Sequence, residues 1–163
     1  VKKDNNIESF YNENTITLDG PLKVNVTDFN KTCDKDLLST SYYVYGIECS
    51  NFNSKVYRRY NDFLWLRQTL RKYYPGLHIP PIPSKSVMGK LMDDEFHMKR
   101  VRGFNKFFDH LSKQKILSSS IITKDFLTES IANEFVRKKN NYSNFQPDSQ
   151  SFVSKINGKL YSL

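Results

Sequence analysis

Cysteine is scarce in this chain: Cys33 and Cys49 are the only two among 163 residues, and they lie in unlike contexts. That excludes a disulfide-built scaffold and points to a reducing, cytosolic compartment. Histidine is nearly as rare. His78, His97 and His110 do not fall at metal-ligand spacings, although Asp93 and His97 are one helical turn apart, so no metal and no other cofactor is expected. No serine or cysteine sits in a nucleophile context, and Asp93, Asp94 and Glu95 read as helix-start charges, so the chain is not expected to be an enzyme. No apolar run approaches the ~20 residues of a membrane span, which leaves peripheral membrane contact. No secretory signal supports the glycosylation patterns at Asn25, Asn30 and Asn141, which an Asn-rich chain produces by chance. Acidic residues are outnumbered, 17 Asp+Glu against 25 Lys+Arg, for a net charge of +8. The excess favours an acidic partner: nucleic acid, a phosphoinositide-bearing membrane or an acidic protein. Nucleic acid is not expected, because the ten tyrosines and twelve phenylalanines follow core periodicities and no recognition motif is present. The chain opens on Val1 and reads as one domain with extensions, cut from a longer protein.

Periodicity supplies the elements. Residues 1–20 read as a polar N-terminal extension. Leu22, Val24 and Val26 alternate with Lys23, Asn25 and Thr27 as a half-buried strand, and a polar connection is expected over residues 28–41. Residues 42–49 are dense in aromatic and β-branched side chains, 50–54 make a hairpin loop, and 55–60 return as a third strand, which predicts an antiparallel meander. From Asn61, whose side chain is placed to cap, the period becomes 3.6. Phe63, Leu66, Leu70 and Tyr73 or Tyr74 line one face of a helix that Pro75-Gly76 ends. The segment Ile79-Pro80-Pro81-Ile82-Pro83-Ser84-Lys85 must be extended, because each proline ring fixes φ and restricts the residue before it. A loop carrying Val87, Met88, Lys90, Leu91 and Met92 follows, then a long helix to about Ser112, a short helical piece over 121–127 and a basic amphipathic stretch over 131–139. The fold class is α+β: a three-stranded antiparallel sheet packed on a helical subdomain of three to four helices, with the domain over residues 21–130. Residues 131–163 read as a helical or linker extension, with a weak apolar pattern in Phe152, Val153, Ile156 and Leu160.

Three cations stand out. Arg59 beside Tyr60, where a strand runs into a helix, is a candidate anion site: a guanidinium offers parallel donors to a phosphate, and a phenol ring can cover whatever carries it. The plain alternative is a strand with two solvated arginines. Arg100 falls on the apolar stripe of the long helix with Phe96, Phe104, Phe107 or Phe108 and Leu111. There it needs an acceptor, since leaving its donors buried and unpaired costs several kcal/mol. It can snorkel, pair with a carboxylate such as Asp62, or hold a ligand. Lys85 closes the rigid proline segment, with a fixed origin and a flexible reach.

Arg58-Arg59-Tyr60-Asn61-Asp62-Phe63, then Ile79-Pro80-Pro81-Ile82-Pro83-Ser84-Lys85, then Arg100-Val101-Arg102-Gly103-Phe104-Asn105-Lys106-Phe107 resemble, in order and spacing, the three motifs of the PX (phox homology) domain. The resemblance covers about residues 22–130 and is similar in detail to sorting nexins, including those whose PX domain precedes a BAR domain. It implies binding of phosphatidylinositol 3-phosphate, peripherally on the cytosolic face of endosomal membranes, in protein sorting. It further implies that Arg59 grips the 3-phosphate, Tyr60 packs under the inositol ring, Lys85 meets the 1-phosphate and Arg100 holds the 4- and 5-hydroxyls, with Arg58 structural. Two departures, Asn61 where serine is common and Phe104 where leucine is usual, leave these roles intact. The loop of Val87, Met88, Lys90, Leu91 and Met92 would then insert among lipids. Expected partners are the lipid, other sorting nexins or retromer-type coat proteins, and a second copy joined through a further domain. The rival reading is a protein-interaction module, since residues 80–85 fit a PxxPx[K/R] ligand of a Src-homology-3 domain.

Overall fold

The computed structural model describes residues 14–33, 41–85 and 93–144. Three strands, β1 (Val24–Cys33), β2 (Ser41–Cys49) and β3 (Ser54–Arg59), form one antiparallel sheet in the order β1-β2-β3. A 3-10 turn at Ser50–Phe52 joins β2 to β3, and Asn53 closes it in the left-handed region at φ 47°. Helices α1 (Tyr60–Tyr73), α2 (Asp94–Ser112), the single turn α3 (Lys115–Ser118), α4 (Ile121–Thr128) and α5 (Ala132–Asn144) follow. The meander and the helical subdomain are as the sequence predicts.

β1 is longer than its alternation suggests. Val26 pairs with Ile47 but Phe29 with Tyr45, so Thr27 and Asp28 together oppose Gly46 in a bulge. The extra residue puts Phe29, at an odd position, against the core, and beyond it Asn30, Lys31 and Cys33 are exposed, so residues past 27 carry no apolar alternation and read as a loop. The Asp28 carboxylate lies over Gly46, where a side chain's Cβ would collide with it. On the edge of β1 the Asn105 side chain of α2 behaves as a neighbouring strand: its Oδ1 accepts the Val26 N–H at 2.8 Å and its Nδ2 donates to the Val26 carbonyl at 2.9 Å.

The core lies between the sheet and α1, α2 and α4. Phe63 of α1 stacks on Phe104 of α2 with centroids 3.7 Å apart, and the edges of Tyr45 and Phe126 close the cluster. Both members of each paired expectation are buried: Tyr73 with Tyr74, and Phe107 with Phe108. Within residues 1–20, docking already begins at Thr15, which bridges Ser120, and Leu18 packs against the core.

Candidate functional site

Arg58 and Arg59 leave β3 on opposite faces, as the pleat requires. Arg58 turns inward and is 5% exposed. Its Nε donates to the Phe126 carbonyl at 3.0 Å, Nη2 to the Glu129 carbonyl at 2.6 Å and Nη1 to the Tyr57 carbonyl at 3.2 Å, while its guanidinium lies 3.8 Å from the Phe135 ring centroid. Burial pushes its pKa down to about 10. Its donors are committed to the fold, so Arg58 is structural. Arg59 turns outward, exposed, with its guanidinium 5.7 Å from the Tyr42 ring and no ion pair among the described residues.

The junction is held by Asp62, not Asn61. Asn61 is exposed, whereas Asp62, in the first turn of α1, accepts the Arg59 N–H at 3.0 Å. The carboxylate suits that place because it meets the positive end of the helix. Nor is Asp62 the partner of Arg100: its other oxygen pairs with Lys139 of α5 at 2.8 Å.

Arg100 is 5% exposed and has no carboxylate within ion-pair distance among the described residues. Its guanidinium lies 4.2 Å from the Tyr60 ring and 4.5 Å from that of Phe96. Nη1 donates to the Tyr45 hydroxyl at 3.3 Å, Nη2 to the Ser84 carbonyl at 3.5 Å, and the buried Nε finds no acceptor. Two ring faces offset part of the cost of burying this charge, about 0.5–2 kcal/mol each, but an anion or a set of hydroxyls would satisfy it further. The Tyr45 hydroxyl, taking a bond from Arg100, also shares a hydrogen bond of 2.8 Å with Nδ1 of the fully buried His97. Burial raises the Tyr45 pKa against the lowering pull of Arg100. His97 and Tyr45 are the residues that sequence reasoning missed. The signal was present, for His97 lies three residues before Arg100 on the same stripe and Tyr45 alternates inward with Ile47 and Cys49.

The proline segment is fastened along its length. The Pro80 carbonyl accepts from Arg67 Nε at 2.9 Å and the Pro83 carbonyl from the Tyr60 hydroxyl at 2.8 Å. Pro83 lies against Gly103 of α2, whose missing Cβ leaves the space that the ring occupies. Pro80 is buried and Pro83 half-buried, so the two prolines that a Src-homology-3 domain would grip already face their own domain. The segment delivers exposed Lys85 one residue beyond the carbonyl that Arg100 touches. Tyr60, Arg100 and residues 83–84 thus adjoin, with Arg59 and Lys85 as chain neighbours of that cluster. Val87, Met88, Lys90, Leu91 and Met92 lie outside the described residues.

A family model described as the PX domain matches residues 48–130, half of the chain. The chain belongs to the PX domain family. This PX domain is similar to the sorting nexin MVP1 of Candida albicans, with 42% identity over 79 residues, 48% of this chain and 11% of that protein. It is also similar to MVP1 of Candida glabrata, 35% identical over 109 residues, 67% of this chain and 21% of that protein. Sorting nexin-8 of Homo sapiens is 31% identical over 95 residues, 58% of this chain and 20% of that protein. The chain therefore spans about a tenth to a fifth of the length of these relatives. Among solved structures, a designed CISK-PX domain superposes with a TM-score of 0.56 at 28% identity, over 66% of this chain and 99% of that one. The PX domains of sorting nexins are phosphoinositide-binding trafficking modules, a non-catalytic class. No helix among the described residues is long and apolar enough to cross a membrane.

Proposed function

We propose that this PX domain binds phosphatidylinositol 3-phosphate on the cytosolic face of endosomal membranes and directs a sorting nexin to vesicular protein sorting. The observation that carries the reading is Arg100: a buried guanidinium between the Tyr60 and Phe96 rings, with one donor unmet and no carboxylate beside it among the described residues. In this reading Arg59 takes the 3-phosphate bidentately, the Tyr60 ring supports the inositol, Lys85 meets the 1-phosphate and Arg100 bonds the 4- and 5-hydroxyls. The loop bearing Val87, Met88, Lys90, Leu91 and Met92 enters the bilayer beside the head group. Each surface lysine near an anionic membrane contributes only about 1 kcal/mol, so durable attachment draws on a second module or a dimer, as a BAR domain beyond residues 131–163 would supply. Other sorting nexins or retromer-type coats are the partners consistent with that role.

Flotation with liposomes carrying each phosphoinositide tests this. Binding confined to 3-phosphate liposomes and lost in Arg59→Ala is expected. Binding to every anionic liposome, unaffected by Arg59→Ala and erased by salt, would reduce the domain to a nonspecific basic surface.

A further inference from the structure

We propose that Lys139 is a positioning residue for head-group capture, acting from α5 through Asp62 on the backbone of Arg59. The inference rests on the phosphoinositide reading above and adds to it an element that lies outside the matched residues 48–130. The Asp62 carboxylate faces two ways. One oxygen accepts the Arg59 N–H at 3.0 Å, and the other takes the Lys139 ammonium at 2.8 Å, with side-chain exposures of 9% and 19%.

The other cations of α5 do different things. Arg137 pairs with Glu134 on the exposed face of the same helix, and Lys138 bridges Asp125 and Glu129 to hold α5 against α4. Lys139 alone among these three reaches the junction of β3 and α1. One turn before it, the Phe135 ring receives both the Lys139 ammonium at 4.9 Å and the Arg58 guanidinium at 3.8 Å. α5 therefore fastens both members of the arginine pair, Arg58 by its side chain and Arg59 through its amide.

The outward aim of Arg59 is inherited from its backbone, held at φ −83° and ψ 163° as the residue before α1. Without Lys139 the Asp62 carboxylate is a poorly exposed anion with one donor fewer, and it rotates toward solvent or toward Arg58. The Arg59 amide then loosens, and a drift of about 1 Å at the guanidinium is enough to spoil two parallel bonds to one phosphate. Anything that lifts α5 removes Lys139 and Phe135 together.

The test uses the full chain, water-soluble inositol 1,3-bisphosphate as titrant and three variants. Lys139→Met is expected to weaken binding by about fivefold, with Lys139→Arg restoring it to within about twofold. Lys138→Met, which removes two ion pairs of the same helix and lowers the melting temperature comparably, is expected to bind as the parent chain does. Without ligand, hydrogen exchange at the Arg59 amide should rise in Lys139→Met alone. Unchanged affinity in Lys139→Met, an equal loss in Lys138→Met, or an unchanged Arg59 amide each overturns the proposal. If the parent chain itself does not bind inositol 1,3-bisphosphate, the head-group reading fails, and the amide exchange still decides whether Lys139 orders Arg59.

Discussion

Gly103 is a place where one methyl group should do damage. It sits inside α2, where alanine would ordinarily gain about 1 kcal/mol over glycine. A Cβ there, however, would overlap the Pro83 ring, striking Cγ and standing 3.3 Å from Cδ and 3.4 Å from Cβ. To reach ordinary contact the ring must retreat by about 1 Å. It cannot do so freely, because the segment is tied by its carbonyls to Arg67 at 2.9 Å and Tyr60 at 2.8 Å. Overpacking of this kind costs about 1–3 kcal/mol, and straining the Tyr60 bond adds about 1 kcal/mol more. The net destabilisation is then on the order of 1–3 kcal/mol, a fall in melting temperature of roughly 3–8 °C for a chain of this size. The displaced segment carries Ser84 and Lys85 with it, so flotation with 3-phosphate liposomes should fall about tenfold, the equivalent of ~1.4 kcal/mol. Gly103→Ala is the variant to make, with differential scanning calorimetry beside flotation. A variant as stable as the parent and binding equally well would mean that the proline segment yields without cost and that the glycine is not a spacer.

The two adjacent arginines should separate stability from binding. Arg58→Met strands the carbonyls of Phe126 and Glu129 and is expected to cost about 3 kcal/mol in urea unfolding, whereas Arg59→Met should stay within about 0.5 kcal/mol. Equal costs would mean that their facing is misassigned. At high pH, Tyr45, Tyr60, Tyr73, Tyr74 and Tyr142 all have pKa values raised, in each case chiefly by burial, with Tyr73 pushed up to about 12. Their folded forms keep protons that the unfolded chain releases above about pH 10, so the stability present below pH 10 is lost as pH rises, by on the order of 3 kcal/mol at pH 12 for Tyr73 alone. Arg58, pushed down to about 10, works in the opposite sense over the same range, one group against five. Melting temperatures should therefore fall steadily from pH 10 to pH 12, with the phenolate absorbance of these five rings appearing only as the chain unfolds. A flat profile would contradict the burial of these rings.

Much of this was legible in the sequence because the local periods are clean. The alternation of Tyr45, Ile47 and Cys49 and the three-and-four spacing from Phe96 to Leu111 set β2 and α2 on the right faces. What escaped depended on side chains far apart in sequence. Nothing local says that Asp62 turns to Lys139, 77 residues on, and not to Arg100, or that Asn61 yields its capping role to the next residue. The far half of β1 was hidden because a bulge at Thr27–Asp28 interrupts the alternation and the residues beyond Phe29 are largely exposed. Pro80 and Pro83 looked available as a ligand because burial of a proline leaves no periodic trace.

The amide of Asn105 has a bearing on how such domains tolerate company. At Val26 it fills both positions that an incoming strand would use, a donor and an acceptor in one plane, at 2.8 and 2.9 Å. A second chain approaching this margin of the sheet finds a rung already taken and must first pull a side chain of α2 off its perch. A second copy of this domain is thereby kept from pairing with β1 at that point, whatever brings the copies together.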